Sequence, residues 1–123
     1  MRILLIVFIL LGGLSVMSGA LGAHALKKML SETSLESYKT AVLYQFLHVL
    51  AGLAVYAVPG MSAGQKKTVM LVFLTGILFF SGSIYLMSLL NVPSKYVWFI
   101  TPLGGILFMT GWFVWAYFML KIK

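Results

Sequence analysis

The chain has no cysteine and almost no carboxylate, since Glu32 and Glu36 are its only acidic side chains. The first absence excludes disulfides, thiolate metal sites, a cysteine nucleophile and lipoprotein attachment. The second leaves no carboxylate within the apolar runs, which excludes paired carboxylates for hydrolysis and a carboxylate-rich cation cage there. Charge is scarce altogether, at 9% of residues, and no Asp, Glu, Lys or Arg lies deep within any of the long apolar runs. Ion-coupled transporters keep an ionisable group inside the membrane to bind the ion or proton, so this absence argues against one.

What the chain has is apolar length. Hydrophobic residues make up 62% of its 123 residues, and mean hydropathy is +1.06. Four runs, at about residues 3–26, 41–58, 68–90 and 97–120, each approach or exceed the roughly 20 residues that cross a bilayer. With only short links between them there is no soluble head, and residues 1–123 read as a single integral membrane domain. The expected fold is all-α: a compact bundle of four transmembrane helices with a short amphipathic segment between the first and second. Arg2 followed by an apolar run and Ala23-His24-Ala25 has the outline of a signal peptide. The run is longer than a signal core and is threaded with small residues, so it is read as a retained first span.

The net charge of +7 comes from nine Lys and Arg residues. They collect at the span ends, where they contact anionic lipid head groups and set topology, and nucleic acid is not an expected partner. Four spans put both termini on one side. Arg2, Lys66, Lys67, Lys121 and Lys123 lie on that side, against Lys27, Lys28, Lys39 and Lys95 on the other. The positive-inside rule then places both termini in the cytoplasm.

Residues 27–40 form more than a plain loop. Leu26, Met29, Leu30, Leu35 and Tyr38 recur at helical spacing, and either Ser31 or Thr33 can cap a helix with Glu36 in its first turn. Two readings stand: a surface amphipathic helix, or extension of the second helix beyond the bilayer. The Pro59–Gly64 stretch, with its two glycines and a proline, and the Asn91-Val92-Pro93-Ser94 stretch are turns, which makes successive spans antiparallel neighbours. Trp98 at one end of the last span and Trp115 and Tyr117 at the other form the interfacial aromatic belt. In the first span Gly12, Ser15, Gly19 and Gly22 make one small-residue packing stripe. Pro102 suits the start of the fourth span, with Thr101 as a candidate cap.

Polar groups inside the runs are few: His24, Tyr44, Gln45, His48, Ser81, Ser83, Tyr85 and Thr101. By residue count they share the half of the bilayer away from the termini, and every span contributes. A shared hydrogen-bond network follows if those faces point inward, worth about 1 kcal/mol per bond. The functional alternative is a proton relay or small polar pocket at His48 and Tyr44. Two histidines without a third ligand make no metal site. FSGS at residues 80–83 lacks the nucleophile-elbow pattern, and no acid stands behind a histidine. No catalytic residue, metal or cofactor is expected.

Four motifs carry a family resemblance: GALGAHALK at residues 19–27, TAVLYQFLH at 40–48, GILFFSGSIY at 76–85 and ITPLGGILFMTGW at 100–112. The chain resembles the small bacterial inner-membrane proteins of the YgdD/YwdK type, a domain-of-unknown-function family with eukaryotic transmembrane relatives. Leu43 departs from the glutamine frequent there. The resemblance implies four spans and a bacterial plasma (inner) membrane location, and it implies no activity. The expected role is a non-enzymatic accessory or scaffold acting through helix packing, on itself as a homo-oligomer or on other membrane proteins. The alternative is a small transporter or proton/solute channel using the His48 cluster.

Overall fold

The computed structural model describes residues 1–122; Lys123, counted above among the terminus-side cations, lies outside the described residues. Six helices follow in chain order: α1 (Arg2–Ala23), α2 (Ala25–Met29), α3 (Glu32–Ala57), α4 (Ala63–Leu89), α5 (Ser94–Val97) and α6 (Ile100–Leu120). Helices α1, α3 and α4 are each long and apolar enough to cross a membrane, as is the stretch Ser94–Leu120. At 1.5 Å per residue the 22 residues of α1 cover about 33 Å, enough for a hydrocarbon core of about 30 Å.

The apolar run of the first span continues to Leu26, but α1 stops at Ala23. His24, at φ −121° and ψ −83°, turns the chain, and the one-and-a-half turns of α2 follow. Leu30 and Ser31 are extended, and the Ser31 hydroxyl accepts the Ser34 N–H at 3.2 Å to open α3, with Glu32 in its first turn. An N-cap oxygen and an early carboxylate both complement the unpaired amides and positive dipole end there. Of the two readings of this link, extension of the second span holds: the helix that Ser31 caps is α3 itself, which starts well before its apolar run opens at Ala41, and the separate helix α2 precedes it. The extension is held down by Leu35 and Tyr38, which are buried.

The turn between α3 and α4 passes through Gly60 at φ +82°. A Cβ there would also meet the Ile122 methyl at 2.8 Å, so both backbone and space call for glycine. Ser62 and Gln65 then form a reciprocal capping box that starts α4. After α4, Asn91 adopts φ 52°, and Val92 N–H bonds back to the Leu86 carbonyl at 3.2 Å. Thr101 does not cap the last span. The residue flanking α6 is Phe99, without a side-chain cap, and Thr101 lies inside the helix with its hydroxyl turned to α4.

Packing follows chain order. The main contacts run α1 to α3, α3 to α4 and α4 to α6. The apolar core, built on Phe8, Val49, Val55, Val69, Met70 and Phe73, lies in the half nearest the termini. Rings seat against glycines: Phe8 on Gly52, Phe108 on Gly76 and Phe73 on Gly111, while Gly104 lets α6 approach the backbone at Phe80. Lipid gives helices no hydrophobic reason to associate, so this close van der Waals fit holds them together. Outward, Ile9, Leu10, Leu47, Leu78 and Phe113 are exposed, as suits a surface wetted by acyl chains.

Candidate functional site

The half of the bundle away from the termini is held by polar groups. At its centre, the Tyr85 hydroxyl on α4 donates to Gln45 Oε1 on α3 at 2.8 Å. Gln45 Nε2 in turn donates to the Leu11 carbonyl on α1 at 3.3 Å. One amide therefore joins three helices. Ser81 Oγ on α4 donates to the Ala41 carbonyl on α3 at 2.7 Å. Ser83 donates to the Phe80 carbonyl at 2.9 Å. A carbonyl can only accept, so the Ser83 proton is spent there and Thr101 is the donor in the Ser83–Thr101 contact that ties α6 to α4.

His48 sits where this polar half meets the apolar core, and only 5% of it is exposed. Its ring lies flat on Phe108, with centroids 3.6 Å apart and planes 9° from parallel. Nδ1 is 2.7 Å from the Tyr44 carbonyl, and Nε2 is 3.2 Å from Trp112 Nε1. The carbonyl only accepts and the indole only donates, so the partners assign the proton to Nδ1 and the lone pair to Nε2. The imidazole is neutral in this arrangement, with both nitrogens committed. Tyr44 presents its ring rather than its hydroxyl to the cluster, stacking 6.0 Å from His48 and packing 4.9 Å from Phe80.

His24 is not brought to this centre. It is exposed at the corner between α1 and α2, because the chain turns there instead of continuing the first span. Three of the small residues proposed as a packing stripe have α3 as their neighbour: Gly12 faces Val49, Gly19 faces Val42 and Gly22 faces Tyr38. Ser15 is buried and bonds the Leu11 carbonyl on its own helix at 2.8 Å.

Sequence reasoning missed two members of the network. Tyr38 donates to the Ser18 carbonyl at 2.7 Å, pinning the α3 extension to α1, and its ring lies 5.5 Å from that of Tyr85. Its buried register opposite Gly22 was the available signal. Trp112 was read only as part of a motif, and the indole proves to be the partner of His48. Among the described residues, Trp115 Nε1 is the only enclosed side-chain polar atom without a partner. No group of three or more potential metal ligands occurs among those residues. What the arrangement performs is mutual satisfaction within the network: the donors of Tyr38, Gln45, His48, Ser81, Ser83, Tyr85, Thr101 and Trp112 each meet an acceptor on a neighbouring turn or helix.

Comparison with known proteins reaches the same kind of molecule. The profile described as "Protein of unknown function (DUF423)" matches residues 18–105. A UPF0382 membrane protein of Staphylococcus saprophyticus is 39% identical over 110 residues, covering 86% of this chain and 90% of that one. UPF0382 membrane protein YwdK of Bacillus subtilis is 36% identical over 86% of this chain and 89% of its own length. UPF0382 inner membrane protein YgdD of Escherichia coli is 33% identical over 90% and 84%. No solved structure matches the chain. With a matching profile over most of the length and relatives of this identity, the chain belongs to the DUF423 family of membrane proteins of unknown function.

Proposed function

We propose that this protein is a non-enzymatic accessory or scaffold of the bacterial inner membrane, with both termini in the cytoplasm, that acts through its lipid-facing helix surfaces. The observation that carries the reading is the commitment of the interior polar groups to one another. His48 uses both ring nitrogens, and Gln45 uses both ends of its amide. A relay needs a group that can change partners, and a network with its bonds already made favours register over turnover. Arg2, Lys66, Lys67, Lys121 and Lys123 on the terminus side, against Lys27, Lys28, Lys39 and Lys95 on the other, would meet lipid phosphates, with the larger number inward.

The test is crosslinking in living cells followed by purification in mild detergent under several growth conditions. A reproducible membrane-protein partner, or a defined homo-oligomer, supports the scaffold; recovery of the lone chain in every condition counts against it. In parallel, proteoliposomes should show no proton flux above empty vesicles. A flux abolished by His48→Ala would replace the scaffold by a channel. Alkaline phosphatase joined after Lys121 should stay inactive if that end is cytoplasmic.

A further inference from the structure

On the side away from the termini, the first turns of α3, the end of α4 and the start of α6 border a groove of about 490 Å³. That lies within the roughly 300–1,000 Å³ of small-molecule sites. Its polar side-chain lining is six hydroxyls, from Thr33, Ser34, Ser37, Thr40, Ser88 and Thr101, together with the indole of Trp98, and no charged side chain takes part. The segregation begins in the sequence. At about 100° per residue, Thr33, Ser37 and Thr40 fall along one stripe of α3. Glu32, Glu36 and Lys39 fall along a second, and Leu35 and Tyr38 along the buried third. A helix emerging into water would ordinarily wet any open face with charge, and this one reserves an uncharged face for the groove.

The hydroxyls restrict what fits. Thr40 spends its proton on the Glu36 carbonyl at 3.1 Å, and Thr101 spends its own on Ser83. Each is left with lone pairs only. An anion needs donors, so these two oppose one; a metal cation wants carboxylate or carbonyl oxygens, which the lining side chains lack. Ser88 is 4% exposed and lines the groove, and its hydroxyl can both donate and accept. Ile84, Met87 and Pro102 add apolar wall, and Trp98, 69% exposed, stands at the edge. The fitting ligand is neutral, carries its own O–H donors and has an apolar face.

We propose that this groove binds a sugar ring, whose hydroxyl edge meets the α3 stripe, Ser88 and Thr101 while its C–H face lies on the apolar wall. The source is either a free sugar or the head group of a neutral glycolipid in the adjoining leaflet, and the experiment separates them. The full chain in phosphatidylcholine nanodiscs is titrated with glucose and, separately, with monoglucosyl diacylglycerol built into the disc. Trp98 emission is the readout, isolated by subtraction of Trp98→Phe. A saturable change with glucose assigns a soluble sugar, and a change with the glycolipid alone assigns the head group. Ser88→Ala should weaken binding about tenfold, the loss expected when one or two hydrogen bonds go. Because Ser88 is buried, Ser37→Lys at an exposed position supplies a second variant that leaves packing untouched, and it should abolish the change. Thr110→Val, an exposed hydroxyl outside the groove, should bind normally. No saturable change with either probe, or wild-type binding by Ser37→Lys, overturns the proposal.

Discussion

The two halves of the bundle solve the same problem by different means. Near the termini, helices are held by shape, with Phe8 on Gly52, Phe73 on Gly111 and Phe108 on Gly76. Away from the termini they are held by direction, through Tyr85, Gln45, Ser81 and Thr101. Ring-in-socket contacts are strong in sum, yet neighbouring sockets look alike. Hydrogen bonds inside lipid are individually modest, yet each demands one acceptor at one place. The difference teaches that a small membrane bundle can divide the work, with strength at one end and register at the other.

That division has measurable consequences. Phe73→Ala empties a fully buried ring site and should cost about 3 kcal/mol in unfolding from mixed micelles, the largest effect of the set. Gly104→Ala should follow at about 2 kcal/mol, since the added methyl meets the Phe80 backbone rather than a movable side chain. Gln45→Leu removes bonds to two helices and should cost about 1 kcal/mol in the same titration. In a double-mutant cycle with Tyr85→Phe, the coupling of the pair should be about 0.6 kcal/mol. If Gln45→Leu costs as much as Phe73→Ala, the polar half carries strength as well and the comparison breaks. If the cost is small but engineered cysteine crosslinks across α3 and α4 then form in several registers, the comparison sharpens.

The four apolar runs announced four helices because a bilayer leaves the backbone few alternatives. The polar cluster was legible in part for the same reason: a hydroxyl or amide in an apolar run must find a partner. Gln45, Ser81, Ser83, Tyr85 and Thr101 do share one half of the molecule. His24 escaped that logic because helix α1 ends a turn before its apolar run does, and the backbone dihedrals at His24 carry no hydropathy signal. Trp112 escaped for a related reason. Counted from the ends of the apolar runs, it and His48 sit at different depths. The later start of α6 at Ile100 and the reach of the indole bring them level. The hydroxyl groove was hidden because it needs three elements together, and on α3 alone its serines and threonines read as an ordinary wet helix.

The order of packing bears on how the molecule is made. Each long helix rests chiefly on the one before it, α3 on α1, α4 on α3 and α6 on α4. A span leaving the insertion machinery therefore finds its main neighbour already in the bilayer, the exception being His48 on α3, whose partners Phe108 and Trp112 arrive only with α6. Gln45 can bond Leu11 as soon as the second span arrives, and Tyr85 completes the amide when the third follows. Biogenesis can proceed as a series of nearest-neighbour dockings in the sequence of synthesis, the membrane counterpart of a low-contact-order fold.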